Sequence, residues 1–361
     1  MTRICVPRWH TNSFPRRRPG GAINYTTYPP TGANYENYLI GSQSIVIDSL
    51  DRAWILDTGR VATPNGTLVA SSYGGPKLVG VNLSNNTVFK TIVFPPTVAY
   101  PDSYLNDVRL DLRSDLSGTT GQGIAYITDS STEGRNGIVV ADLGSGQTWR
   151  HLDGNDAVQI EKQHVQYLWG EAIYAAQPGL PFTYLNFGSD GIALAADGER
   201  LYWKSVANRY LFSIPTERLR DRSTSSEVLA QGAIANHGQS GISDGMETDT
   251  NGFIYHANME QNAISIFNPK NGTVNTFVRD PRLNWIDTVS VVVPGMDLIS
   301  STPANVSQSV QFSVAEDGYL YFTVNQLVFS ALSYPGTDRR VKPWALMRVA
   351  LPNNGTKPLL R

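Results

Sequence analysis

Four polar residues, Gln43, Asn106, Asp190 and Asp244, stand at one place in a recurring strand–turn–strand pattern. Each heads a short run that reaches an aspartate or a small residue five positions on. The runs are QSIVIDSLDRAWIL, NDVRLDL (continuing after an insertion into GIAYITD), DGIALAADGERLYW and DGMETDTNGFIYHA. In the last two a glycine follows the head by eight positions and opens a strand ending in aromatics; in the first, Asp51 holds that slot. Repeated antiparallel units of this kind cannot bury their apolar faces alone and must stack on one another. A β-propeller does this and turns the head residues into a central channel.

QFSVAEDGYLYFTV adds a fifth unit, with Val310 in the head slot. Five units plus the unassigned ends predict an all-β, six-bladed β-propeller, one domain spanning 1–361. Its sixth blade would join N- and C-terminal strands, which leaves no open edge. Strands such as KLVGVNL, GIVVADL, YLFSI and AISIFN, broken at Gly, Asn and Asp, fit this reading. Helical patterning is confined to TERLRD (Thr216 to Asp221), with Thr as a cap, and to Asp156 through Gly170.

The 361 residues are 41% hydrophobic, enough for a substantial core. With 29 basic against 31 acidic residues, the chain shows no charge footprint for nucleic acid or an anionic membrane. The cluster Arg16 to Arg18 reads as a solvated arm. Nothing approaches eighteen consecutive apolar residues, so no membrane helix is expected. Cys5 stands alone, so no internal disulfide forms, and it reads as packed rather than catalytic. Sequons begin at Asn24, Asn65, Asn82, Asn85, Asn271, Asn305 and Asn354, mostly in turn-like sequence. They predict a secreted or secretory-pathway glycoprotein, although MTRICVPRWH carries no apolar signal stretch; the cytoplasm is the alternative.

The channel ring has three readings. Its amides and carboxylates could bond to one another and to water, as buried polar groups must. They could hold calcium, with Asp190 and Asp244 supplying charge. They could also touch a ligand directly. The five histidines show no zinc spacing, GQSG around Ser240 is no nucleophile elbow, and GTTGQG is no phosphate loop. Tyr167, Trp169 and Tyr174 in the long 160–186 insertion, and Trp285 with Asp287 in another connection, are candidates to wall a cavity for a flat conjugated or aromatic ligand. Met246 and His256, close to Asp244, are further candidates.

The strings VPRW, IDSLDRAWILDTGR, PKLVGVNL, YITDS with GIVVADL, and GIALAADGERLYW with TERLRD occur in one order that resembles the yellow / major royal jelly protein family. The resemblance runs from about Val6 to about Leu327; HTNSFPRRRPGG after Trp9 departs from it, and the family's cysteines are missing. It implies a six-bladed propeller with a small-molecule cavity at one channel mouth. Members include pigment-pathway enzymes acting on catechol-derived quinones, secreted binders of biogenic amines, and fungal natural-product catalysts of hetero-Diels–Alder couplings. A more distant similarity is to gluconolactonase-like propellers, whose channel metal ligands align with Gln43, Asn106, Asp190 and Asp244; two of the ligand types differ.

The leading expectation is therefore a biosynthetic cyclase (a pericyclase) of secondary metabolism. It would steer a quinone-methide-like intermediate through a Diels–Alderase type of coupling by orientation and hydrogen bonding, with no cofactor required. The alternatives are a non-catalytic secreted binder of aromatic or amine ligands and a calcium-dependent, lactonase-like hydrolase. Carboxylates at the mouth would favour an amine, neutral or cationic donors a quinone-like carbonyl.

Overall fold

A computed structural model describes residues 35–61, 68–175, 181–288, 313–314, 318–330, 338–341 and 345–360. These residues form five antiparallel blades, the first four of them four-stranded. The first holds β1 (Ser42–Ile47), β2 (Arg52–Thr58), β3 (Pro76–Asn82) and β4 (Thr87–Val93); the second holds β5 (Leu105–Asp111), β6 (Ile124–Asp129), β7 (Gly137–Asp142) and β8 (Thr148–His151). Two small hairpins follow, β9 (Tyr167–Leu168) with β10 (Glu171–Ala172), and β11 (Tyr174–Ala175) with β12 (Thr183–Tyr184). The third blade holds β13 (Ser189–Leu194), β14 (Arg200–Ser205), β15 (Tyr210–Pro215) and β16 (Ala235–Gln239); the fourth holds β17 (Met246–Thr248), β18 (Ile254–Asn258), β19 (Ala263–Asn268) and β20 (Thr273–Arg279).

The fifth blade departs from the pattern. Its inner strand comes in two pieces, β21 (Ile286–Thr288) and β22 (Ser313–Val314), which pair in continuous register with one edge of β23 (Tyr319–Val324). The other edge of β23 takes β24 (Ala345–Ala350). The described residues make five blades rather than six, and the C-terminal strand completes the fifth blade instead of closing a sixth. Ile286 is the residue that faces Val324 at the end of β23, and the head assigned to Val310, like Cys5 and Arg16 to Arg18, lies outside the described residues.

The sequence repeat has a plain physical basis. Five positions after the head, Asp48 accepts from the Leu50 and Arg52 amides and the Trp54 indole. Asp249 does the same for the Asn251 and Phe253 amides and the Tyr255 hydroxyl. Each ties a hairpin turn shut with its own side chain. Eight positions after the head, Asp51, Gly198 and Gly252 have φ of 57°, 75° and 83°, as does Gly318 at 79° in the fifth blade. The slot demands the left-handed region, which glycine and aspartate tolerate.

Stacked blade faces supply the core. Trp54 and Leu78 meet Val108 and Ile127 between the first two blades. Tyr126 and Ile138 meet Trp203 and Ile214 between the second and third. Ala193 and Tyr202 meet Met246 and Ile254 at the next interface, and Tyr255 and Ile264 meet Leu320 and Phe322 at the last. Each such aliphatic side chain contributes about 1.5–3 kcal/mol when fully buried.

Helix is scarce, as the patterning implies. α1 (Thr216–Arg220) forms where expected, although Thr216 Oγ1 donates to the Gly198 carbonyl instead of capping. α2 (Ser226–Gly232) follows it. The stretch from Asp156 to Gly170 is not a helix beyond a single turn at Asp156–Val158. Gln163 and Trp169 adopt φ of 68° and 51°, which a helix cannot contain.

Candidate functional site

The four head residues do converge, one from each of the first four blades, and a kink in the strand presents three of them. The β1–β2, β5–β6 and β13–β14 ladders each slip at Gln43, at Asn106 and at Asp190 respectively. A β-bulge re-aims its side chain out of the alternating pattern, here into the channel. Gly191 is small by necessity. A Cβ there would lie 2.3 Å from the Asp244 carbonyl oxygen, so the third and fourth blades could not approach as they do.

The side chains form one directed hydrogen-bond chain. Tyr104 Oη donates to Gln43 Oε1 at 2.8 Å, Gln43 Nε2 to Asn106 Oδ1 at 2.9 Å, and Asn106 Nδ2 to Asp190 Oδ2 at 2.5 Å. Asp190 and Asp244 are hydrogen-bonded carboxyl to carboxyl. From the far side, the Trp285 indole donates to Asp244 Oδ2 at 2.5 Å. Donors thus run inward from both ends and terminate on Asp244.

Two carboxyls can share a hydrogen bond only if one keeps its proton. Burial, and then the charges of Asp244, Asp107 and Asp287, hold Asp190 well above the usual carboxylate range, so Asp190 carries the proton. Burial raises Asp244 to about 6, opposed by the hydrogen bonds from Trp285 and Asp190. At neutral pH the pair is a neutral acid donating to a carboxylate. Asn106 and Asp190 are buried, whereas Gln43 and Asp244, at the two ends of the ring, are half-buried.

Arg109, further along β5, reaches past β13 to the fourth blade. Its guanidinium donates to the Met246 carbonyl at 2.6 Å and the Val108 carbonyl at 2.9 Å, and lies 3.8 Å from Glu247. It braces the channel wall one step beyond the ring. Tyr104, Asp107 and Arg109 went unnoticed in the sequence as channel groups; their positions next to the Asn106 head were the available signal.

The other candidates divide. Trp285 joins the ring directly, and Asp287 accepts from Asn325 Nδ2 at 2.8 Å while adding negative charge near Asp190. Met246 is fully buried in the interface between the third and fourth blades. His256, its cross-strand partner, is also buried, bonded to the Ala257 carbonyl and pushed down to about 3 by burial and then by Lys204. Tyr167, Trp169 and Tyr174 are 48%, 56% and 41% exposed, while Leu168 and Ile173 between them turn inward to the cluster that contains Trp285.

As bonded, the ring presents few oxygens to a cation, because the amide oxygens of Gln43 and Asn106 are both taken and Asn106 turns its nitrogen to Asp190. Among the described residues no three His, Cys, Asp or Glu side chains gather as a metal-holding group. Nor is any described helix long and apolar enough to cross a membrane. Of the sequons, Asn85 and Asn271 sit on exposed turns, each accepting from the hydroxyl of its own Thr87 or Thr273. Asn82 accepts likewise from Ser84, and Asn354 is exposed; Asn24, Asn65 and Asn305 lie outside the described residues.

Comparison with known proteins agrees with the resemblance read from the sequence. A family model described as major royal jelly protein matches residues 40–323. Major royal jelly protein 1 of Apis mellifera is 27% identical over 185 residues, covering 50% of this chain and 38% of that protein. Protein yellow of Drosophila erecta is 23% identical over 244 residues, covering 62% and 41%. The chain therefore matches about two fifths of the length of these relatives. Among solved structures, a luciferin-regenerating enzyme aligns with a TM-score of 0.45 at 11% identity, covering 88% of this chain and 93% of the other. A calcium-binding regucalcin of Agrobacterium tumefaciens aligns at 0.39 and 14% identity, covering 90% and 95%. With the family model spanning most of its length, the chain belongs to the major royal jelly protein family.

Proposed function

We propose that this protein binds a small amine at the channel mouth, with the ligand's ammonium group seated on Asp244. The observation that carries this reading is the hydrogen-bond chain ending on Asp244, the ionised member of a one-proton pair and a residue that is only partly buried. Asp107 and Asp287 add negative charge nearby, which favours a cation over a carbonyl oxygen or an anion. The Trp285 indole, buried behind Asp244, holds the carboxylate in place by its hydrogen bond. The sequons support a secretory setting for such a binder.

Quenching of tryptophan fluorescence by 2-phenylethylamine tests this. Saturable quenching by the wild type, weakened at least tenfold in D244N, is expected. Equal binding by the two proteins contradicts the reading, as does the absence of binding at pH 7.5.

A second reading, catalysis of a hetero-Diels–Alder cyclisation, has one supporting observation. At neutral pH the Asp190–Asp244 pair holds one proton, which a developing oxyanion could accept only by displacing Asp244 as its acceptor. Incubation with an o-quinone methide and an alkene tests it; unchanged rate and product stereochemistry rule it out.

A further inference from the structure

The turn of the β9–β10 hairpin is built from an unfavourable residue. Leu168 pairs with Glu171, leaving Trp169 and Gly170 as a two-residue loop, with φ of 51° and 80°. Two positive φ values define the type I′ turn, for which Asn-Gly is the favoured pair. A tryptophan in the left-handed region is strained, and this one is also 56% exposed. Folding alone would select against it on both counts. Strain of this kind persists where a side chain is needed for something else.

The position of the hairpin suggests what that is. The segment around it bonds to the third blade through the Glu161 amide and Ala207 carbonyl, and to the fourth through His164 and Glu260. At its tip the Trp169 ring meets Phe329 of the fifth blade, centroids 5.2 Å apart and tilted by 40°. On its underside Leu168 and Ile173 pack in one cluster with Ile242, Leu283 and Trp285, whose indole reaches Asp244. The hairpin thus bridges three blades beside the channel mouth and ends in an aromatic pair.

We propose that the Trp169 hairpin is an aromatic lid, and that Trp169, held in place by its contact with Phe329, stacks its exposed face on the ring of a flat ligand seated on Asp244. The proposal rests on the amine-binding reading above and assigns the contact with the ligand's ring to Trp169. A stacked aromatic contact is worth roughly a three- to tenfold gain in affinity.

The test compares 2-phenylethylamine with n-hexylamine, an amine of similar reach without a π face, on the wild type, W169N and W169F. Tryptophan removal alters the optical signal, so binding is read by calorimetry. W169N installs the favoured Asn-Gly turn, so the hairpin remains and its melting temperature stays level or rises. The lid predicts that W169N loses about three- to tenfold in affinity for 2-phenylethylamine, that its n-hexylamine affinity is unchanged, and that W169F retains most of the preference. If W169N binds both amines as the wild type does, the lid is overturned and the Asp244 anchor stands. Equal losses for both amines also overturn it, since a stacking partner discriminates. A wild type that binds neither amine overturns the anchor and the lid together.

Discussion

Asp190 donates a hydrogen bond to Asp244 across the seam between the third and fourth blades, and the pair carries one proton between them at neutral pH. Both residues head their repeats, so the mark that sets the blade register also builds the chemical centre of the channel.

That arrangement has a cost that depends on pH. Folding raises Asp244 from 3.8 to about 6, so between these values the folded state binds more protons than the unfolded chain. Its contribution to stability is fully present below about pH 4 and is lost as pH rises through 6. D244N removes the charge and keeps an oxygen for the Trp285 indole. It is expected to be more stable than the wild type at pH 7, by on the order of 1–2 kcal/mol after the weaker indole bond is counted, with the difference vanishing towards pH 4. Urea denaturation of both proteins at pH 4, 5.5 and 7 measures this.

A buried lysine gives the opposite slope at higher pH. Lys204 is fully buried, donates to the Arg209 carbonyl at 3.0 Å and Ser240 Oγ at 2.8 Å, and is brought down from 10.5 to about 7 by burial. Between these values the folded state binds fewer protons than the unfolded one, so stability rises with pH, by up to about 1.4 kcal/mol per unit. K204M is expected to flatten the stability profile from pH 7.5 to 9.5. A parallel rise in both proteins would place the titrating group elsewhere.

Close approach at Gly191 predicts a severe local defect. With an added Cβ 2.3 Å from the Asp244 carbonyl oxygen, G191A must push the third and fourth blades apart. A loss of about 2–3 kcal/mol is expected from overpacking, together with weaker amine binding. Gly232, at the end of α2, has open space around its Cβ direction and no positive φ, so G232A serves as the neutral control.

The ion pair of Lys77 and Asp57 gives a prediction about the scaffold alone. Both side chains are fully buried, 3.1 Å apart, and Lys77 Nζ also donates to the Gly74 and Gly75 carbonyls. K77M leaves Asp57 charged and unpaired by its lysine, which costs about 3–5 kcal/mol. Thermal melting should show a loss of that order without altered amine selectivity in the protein that remains folded.

Much of this architecture was legible because it is local. The heads at Gln43, Asn106, Asp190 and Asp244, the turn aspartates Asp48 and Asp249, and the positive-φ slots at Asp51, Gly198 and Gly252 all follow from hairpin geometry within one blade. The fifth blade is less legible, because the partners of neighbouring residues Phe322 and Tyr321 on β23 are Thr288 and Ser313, which stand far apart in the sequence. The bond from Trp285 to Asp244 joins two blades across 41 positions and leaves no periodic trace. Nor does sequence reveal which of two carboxyls keeps a proton, since burial and neighbouring charge decide it.

The proton that Asp244 gives up is the most direct readout of its role as the seat of the amine. Calorimetry of 2-phenylethylamine binding at pH 6, in two buffers of different ionisation enthalpy, counts protons exchanged. With Asp244 near 6, an arriving ammonium should release about half a proton per ligand at pH 6 and close to none at pH 7.5. D244N should release none at either pH. Binding at pH 6 with no proton release by the wild type, or with the same release by D244N, would contradict Asp244 as the amine's seat.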